Sequence, residues 1–235
     1  MDAVILAGGL GTRLRPVVGD RPKALAPIGG VPFIEYQLRQ LKRHGVYHVV
    51  LCLGYGGEQI EEHVGRGGRF GLRIRCSYEP EPLGTAGALH QAASLITTVN
   101  FLVLNGDVLF DIDLQALTVE HLRRKARATI ALARVEDTQR YGSVQVDAQD
   151  AIVQFLEKGR AGAGLINGGL YVFRSDVLAR IAPDRPVSLE YEVFPQLIGQ
   201  GFYGLPFDGP FTDIGVPEAY QRAQETLRRL QAAGG

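Results

Sequence analysis

The sequence contains no tryptophan, one methionine and only two cysteines in 235 residues. Two thiols, Cys52 and Cys76, are too few for a disulfide scaffold in a chain of this length, and they read as small apolar residues in a reducing compartment. The chain also lacks an excess of either charge, with 25 lysines and arginines against 25 aspartates and glutamates. No overall field therefore gathers nucleic acid or an anionic membrane, and only a local basic patch is left open. No apolar stretch approaches the ~20 residues of a membrane span. The start, MDAVILAGG, has neither the basic region nor the long apolar core of a signal peptide, so the expected location is the cytoplasm. The five histidines form no ligand set, since Gly45 separates His44 from His48. There is no Gly-x-Ser-x-Gly and no Cys/His pair, hence no case for a covalent nucleophile.

What is present is an ordinary globular composition, 46% hydrophobic and 21% charged, with an unusual 30 glycines outside any low-complexity tract. That many glycines point to tight turns and close backbone approaches. The run Ala3-Val4-Ile5-Leu6 has no alternation, as expected of a strand covered on both faces. A helix follows, with apolar positions Phe33, Ile34, Leu38 and Leu41, entered after Pro32 and stopped at Gly45. Val49–Leu53, Leu72–Tyr78 and Phe101–Leu104 read as further strands, with helical segments through Ile60 and Val64 and from Ala86 to Leu95. This β-α-β rhythm predicts an α/β fold, a Rossmann-like, mostly parallel sheet with helices on both faces. Beyond it, Ala128–Ala133, Ser143–Val146, Ile152–Leu156 and Leu170–Phe173 read as short strands, so antiparallel additions are expected. Helices are expected at 175–181, 190–198 and 218–230. With no linker or repeat in view, one domain spanning 1–235 is expected, divided functionally near residue 110.

Open parallel sheets bind ligands beyond the carboxyl ends of their strands. At such an end, Leu6 and Ala7 lead into Gly8-Gly9-Leu10-Gly11-Thr12-Arg13. Closely spaced glycines let backbone N–H groups converge on an anion, Thr12 offers a hydroxyl and Arg13 a fork of charged donors. A plain tight turn is the alternative. The segment is not a P-loop, because no Gly-Lys-Ser/Thr follows, and Leu14 stands where a dinucleotide fingerprint needs its third glycine. Arg13, Arg15, Arg21 and Lys23 place four cations just beyond the glycines. Asp113 reads as the cap of the next helix rather than a metal ligand.

AGGLGTRLRP followed by RPKAL resembles the signature of sugar-1-phosphate nucleotidyltransferases. Glu81-Pro82-Leu83-Gly84-Thr85-Ala86-Gly87 resembles that family's base-recognition loop, and Asn105-Gly106-Asp107 its metal-binding strand end. Tyr141-Gly142, Glu157-Lys158-Gly159, Asn167-Gly168-Gly169 and Thr212-Asp213-Ile214-Gly215 fall in the family's order for sugar and second metal contacts. Gly159 is a departure, standing where many members have proline, and it is expected to loosen a turn without consequence for the chemistry. The resemblance implies a nucleotide-diphospho-sugar transferase fold in which residues 1–110 bind a nucleoside triphosphate and residues 111–235 a sugar 1-phosphate. The phosphate oxygen of the sugar attacks the α-phosphate and pyrophosphate leaves. The nucleophile is already an anion, so in-line positioning and charge neutralisation are needed rather than a general base.

On this resemblance Arg13, Lys23 and Asp107 carry the chemistry. Leu6, Ala7, Gly8, Gly9, Gly11, Thr12, Pro82, Leu83, Gly84, Thr85 and Gly106 join them around the nucleotide. Asp107 and Asp213 would hold Mg²⁺, unless they serve only as turn or helix caps. Gly142, Glu157, Lys158, Asn167, Gly168 and Glu190 fall to the sugar phosphate, although Glu157-Lys158 also reads as a solvated ion pair. Glu79 or Glu81 would accept from a guanine edge if either faces the base. Glu190 and Glu192 either meet sugar hydroxyls or occupy the first turn of a helix capped by Ser188. The finer motifs look most like D-glycero-α-D-manno-heptose-1-phosphate guanylyltransferases, whose products serve lipopolysaccharide, capsule or S-layer glycans. Mannose-1-phosphate guanylyltransferases and N-acetylmuramate-1-phosphate uridylyltransferases are the alternatives. A non-catalytic binding subunit is disfavoured by the presence of Arg13, Lys23, Asp107 and Asp213. A monomer or homodimer is expected.

Overall fold

The computed structural model describes residues 1–159, 161–183 and 185–233. Its centre is a seven-stranded sheet that uses both ends of the chain. In chain order the strands are β1 (Asp2–Ala7), β2 (His48–Leu53), β3 (Arg73–Tyr78), β4 (Asn100–Asn105), β5 (Ala128–Val135), β6 (Gly164–Arg174) and β7 (Phe202–Phe207). Across the sheet they lie β7-β5-β6-β4-β1-β2-β3. β6 runs antiparallel to both its neighbours, and the other pairings are parallel. The unalternating apolar runs have the expected cause: Ala3 and Ile5 enter the core on one face while Val4 enters the core on the other. Leu102 and Leu104 against Phe101 and Val103 repeat that division in β4.

The main helices are α1 (Phe33–Arg43), α2 (Gly57–Val64), α3 (Gly84–Gln91), α4 (Leu114–Arg123) and α5 (Pro217–Ala233). α1 begins after Pro32, carries Glu35 in its first turn and Lys42 and Arg43 in its last, and ends before Gly45 at φ 76°. α4 is capped as expected, Asp113 Oδ1 accepting from Gln115 N–H at 2.8 Å and Ala116 N–H at 3.2 Å. The helix expected at 190–198 is instead a π-helical turn, Leu189–Val193, running into a short α-helix, Phe194–Leu197. Pro195 lacks the N–H that a regular helix would use at that point, and the wider turn accommodates it.

Several elements differ from expectation more seriously. The strand expected at 170–173 is 11 residues long, and its pairing with β5 is interrupted between Asn167 and Tyr171, where Gly168-Gly169 forms a bulge. Strands 144–146 and 152–155 form a separate ribbon rather than extending the main sheet. A second ribbon, Val108–Phe110 with Phe211–Asp213, was not anticipated, nor was β7.

His121 shows how a polar side chain is tolerated in this core. It is 1% exposed, with Nδ1 2.9 Å from Thr129 Oγ1 and Nε2 3.1 Å from Asn100 Oδ1. Burial, with a smaller contribution from Arg174, pulls its pKa down to about 4. The unfolded chain therefore takes up a proton that the native state refuses, and stability falls as pH drops from about 6.5 toward 4. Urea titrations should show a loss of roughly 3 kcal/mol across that window, and His121→Gln should flatten the slope. An unchanged slope in the variant would remove His121 as the cause.

Candidate functional site

β1 and β4 are parallel neighbours with Leu6 opposite Asn105, so both strands end on the same edge of the sheet. Gly106 N–H donates to Leu6 O at 2.9 Å and fastens the two ends together. The cavity that opens there has a volume of about 450 Å³. One wall is Leu6, Ala7 and the loop from Gly8 to Arg13, with Lys23 and Ala24 beside it. Asn105, Gly106, Asp107 and Gly215 form a second wall, and Glu79, Pro82, Gly84, Thr85 and Ala88 a third. Of the nucleotide candidates only Leu83 is missing from the lining, and its backbone N–H donates to Glu79 Oε2 at 2.9 Å.

Lys23 Nζ lies 2.5 Å from Asp107 Oδ2, the lysine largely buried and the carboxylate 36% exposed. Asp213 reaches the same place through the unanticipated ribbon, where it stands opposite Val108 while Ile214 N–H donates to Asp107 O at 3.0 Å. A methyl group placed on Gly215 would lie 2.7 Å from Asp213 Oδ1 and 3.4 Å from Lys23 Nζ, so both aspartates and the lysine share one small volume. No group of three or more metal-ligating side chains occurs among the described residues. Asp107 on the cavity wall and Asp213 just behind it do fit a hard divalent cation that keeps substrate oxygens and waters as its remaining ligands. They do not fit a closed zinc cage.

Position separates Glu79 from Glu81. Glu79 lines the cavity, half-buried, whereas Glu81 is exposed. Burial raises the Glu79 pKa, and the Leu83 N–H partly offsets this. A Cβ at Gly8 would overlap the Glu79 carboxylate, so a larger residue there would push Glu79 from its place. Thr85 continues the wall, donating to Glu190 Oε2 at 3.2 Å, with Ser188 Oγ donating to the same oxygen at 3.0 Å. Ser188 Oγ also accepts from Tyr191 N–H at 3.3 Å, so Ser188 caps its helix while Glu190 points to Thr85.

The cationic segment from Arg13 to Lys23 does not face the aspartates as a whole. Arg13 and Lys23 line the cavity, but the helical turn Arg15–Val18 carries the Arg15 guanidinium over the Tyr55 ring, 4.4 Å from its centroid. Arg21 is exposed. Among the sugar candidates, Gly142, Glu157, Lys158, Asn167, Gly168 and Glu190 all lie outside the cavity walls. Gly142 packs against Leu156 O and the Glu157-Lys158 backbone, which brings those two motifs together. Asn167 is occupied internally, donating to Tyr171 Oη at 3.0 Å and accepting from Gly169 N–H at 2.9 Å, and Asn105 donates to the same hydroxyl at 3.4 Å. Gly159 takes a conformation that explains the absence of proline there. At φ 103°, which proline cannot adopt, Gly159 donates its N–H to Gln139 O at 2.9 Å.

Gln37 went unnoticed in the sequence because glutamine on a surface helix reads as solvent-facing. It is fully buried, and Nε2 donates to Asn105 O and Val108 O, each at 2.8 Å, clasping both sides of Gly106-Asp107. Gln40 Nε2 supports the next turn through Phe110 O at 2.6 Å. The available signal was their spacing, since both fall on the apolar stripe of Phe33, Ile34 and Leu41.

A model of the family described as nucleotidyl transferase matches residues 2–229. The chain is 38% identical over 230 residues to D-glycero-alpha-D-manno-heptose 1-phosphate guanylyltransferase of Aneurinibacillus thermoaerophilus, covering 97% of this chain and 99% of that one. It is 39% identical over 233 residues to mannose-1-phosphate guanylyltransferase of Mycobacterium tuberculosis, covering 97% of this chain and 65% of that protein. The crystal structure of HddC from Yersinia pseudotuberculosis complexed with GMP-PN superposes with a TM-score of 0.85 at 36% identity, covering 96% and 99% of the two chains.

If Gln37 sets the position of Asp107, Gln37→Met should keep the packing volume and remove both donors. The expected cost is about 2 kcal/mol for two unsatisfied buried carbonyls, read by chemical denaturation. Turnover should fall more than apparent nucleotide affinity, and equal losses in both would contradict a positioning role.

Proposed function

The chain belongs to the nucleotidyl transferase family, and on that premise we propose that it transfers a guanylyl group from GTP to D-glycero-α-D-manno-heptose 1-phosphate. It is a sugar-1-phosphate nucleotidyltransferase, and the finer assignment of base and sugar is our own reading. Glu79 is the observation that carries guanine. Guanine presents two donors on one edge, N1–H and the 2-amino group, and a carboxylate accepts both at once. Glu79 is anchored by Leu83 N–H and held against Gly8 on the cavity wall, where such an edge can reach it. Uracil and thymine present a single donor flanked by carbonyls that a carboxylate would repel. The heptose rests on identity along nearly the whole chain to a heptose-1-phosphate enzyme. No helix is long and apolar enough to cross a membrane among the described residues.

In this reading residues 1–110 serve the nucleotide and residues 111–235 the sugar phosphate. Backbone N–H groups of the Gly8–Thr12 loop and the Arg13 fork hold the β- and γ-phosphates that leave as pyrophosphate. A sugar-phosphate oxygen forms the new bond to the α-phosphorus as the bond to the bridging oxygen of pyrophosphate breaks. Lys23, 2.5 Å from Asp107, neutralises charge beside the α-phosphate while it orients that carboxylate. Asp107 and Asp213 are the residues that would hold Mg²⁺, which supplies further neutralisation of the phosphate oxygens when bound. Glu157 and Lys158 approach the sugar and its phosphate from the other side.

A pyrophosphate-release assay over four nucleoside triphosphates and a panel of sugar 1-phosphates tests the reading. GTP with the heptose phosphate should be preferred, and Asp107→Asn should lower turnover at least 100-fold with an unchanged circular dichroism spectrum. Glu79→Gln should reduce the preference for GTP over UTP by about tenfold or more. Preference for UTP in the wild-type protein would overturn the guanine assignment.

A further inference from the structure

Asp213 does not stand open. Its Oδ1 accepts from Gly215 N–H at 2.5 Å, and its Oδ2 lies 2.5 Å from Arg140 Nη2. The pair is largely shielded, with the carboxylate 15% and the guanidinium 34% exposed. A cation coordinated by Asp213 must compete for the oxygen that Arg140 now holds.

The segment that carries Arg140 belongs to the sugar side of the site. Tyr141 N–H and Gly142 N–H both donate to Thr138 O, at 2.9 and 3.0 Å, so the residues after Arg140 form a tight turn. Gly142 packs against Leu156 O and the Glu157-Lys158 backbone, and Gly159 N–H donates to Gln139 O at 2.9 Å. Arg140 is thus fixed by its backbone to the Glu157-Lys158 motif while its side chain reaches across to Asp213. The guanidinium lies over the Tyr141 ring, 4.9 Å from the centroid, and that ring is itself braced by Phe211 at 5.7 Å. The ring is a surface along which a planar cation can move without losing its apolar contact. Among the described residues, the other charges near this pair include Lys23, close to Asp213 through Gly215, Asp107, paired with Lys23, and Arg222, whose field reaches Tyr141.

We propose that Arg140 is an exchangeable counter-ion of Asp213: it leaves the carboxylate for the phosphate of the incoming sugar 1-phosphate as a divalent cation takes Oδ2. The inference rests on the functional reading above, in which Asp213 is a metal ligand and the Glu157-Lys158 side receives the sugar phosphate. Two consequences follow from mass action. A dianionic phosphate draws Arg140 off Asp213 and so tightens cation binding, and the cation releases Arg140 and so tightens phosphate binding by the same factor. Arg140 also keeps Asp213 neutralised until both ligands are present, which avoids an unpaired carboxylate in a partly buried site.

Mn²⁺ titrations followed by electron paramagnetic resonance test this on the full-length protein. Wild type, Arg140→Ala and Arg140→Lys are each titrated alone and with D-glycero-α-D-manno-heptose 1-phosphate or α-D-mannose 1-phosphate. In the wild type, sugar phosphate should tighten Mn²⁺ binding by about fivefold or more. Arg140→Ala should bind Mn²⁺ tighter than wild type without any sugar phosphate, and the enhancement should disappear. Arg140→Lys should restore part of it. Thermal melts establish that each variant is folded. Arg140→Ala binding Mn²⁺ no tighter than wild type, with the enhancement intact, would overturn the exchange while leaving the transferase reading in place. If neither protein binds Mn²⁺, or if Asp213→Asn leaves binding unchanged, the assignment of Asp213 as a metal ligand fails and the exchange fails with it.

Discussion

The site depends first on the parallel pairing of β1 with β4. Leu6 faces Asn105 across that pair, so the glycine loop and the Gly106-Asp107 turn emerge side by side, joined by Gly106 N–H to Leu6 O. A slip of one residue would exchange the two faces of β1. Ala3 and Ile5 pack in one core and Val4 in the other, so a slip would disturb both faces at once. The register is therefore determined by packing far from the cavity, and the cavity inherits its precision. Gln37 adds a second restraint from the helix side by holding the carbonyls that flank Gly106-Asp107.

Electrostatics is the second organising feature. The chain has no net charge, and the same balance recurs inside the site, where Lys23 faces Asp107 and Arg140 faces Asp213. Partly buried pairs gain little stability after desolvation is counted. Their value lies in substrates that bring charge of their own. In the proposed function, phosphates and a divalent cation exchange partners with these pairs without leaving an ion stranded in a low-dielectric environment. Arg15, stacked on Tyr55, shows that a cation near the glycine loop in sequence need not line the cavity.

The two parts of the chain meet through side chains that join a cavity wall to residues outside it. Thr85, on the wall, is bonded to Glu190, and the buried Tyr171 hydroxyl lies between Asn105, on the wall, and Asn167, beyond it. The bulge at Gly168-Gly169 places Asn167 for that contact, which explains why a strand read as short is long and interrupted.

Much of the fold and of the cavity lining was legible in the sequence, because apolar runs, helix stops and glycine loops report local physics. Helix α1 between Pro32 and Gly45, strands β1 to β4 and the Asp113 cap all belong to that class. β7 was not legible because Gly204 and Pro206 interrupt its pattern. An edge strand tolerates proline, since its outer side has no partner to supply. The choice of Glu79 over Glu81 depended on which way a loop turns after β3. The meeting of Asp213 with Asp107 depended on a three-residue strand pairing across about a hundred positions, and the capture of Asp213 by Arg140 on a turn 73 positions away. Residue types and their order announced a phosphate chemistry. Which carboxylate reaches the cavity, and which cation each aspartate holds, were decided only by contacts between segments distant in the chain, whose energies have no local signature.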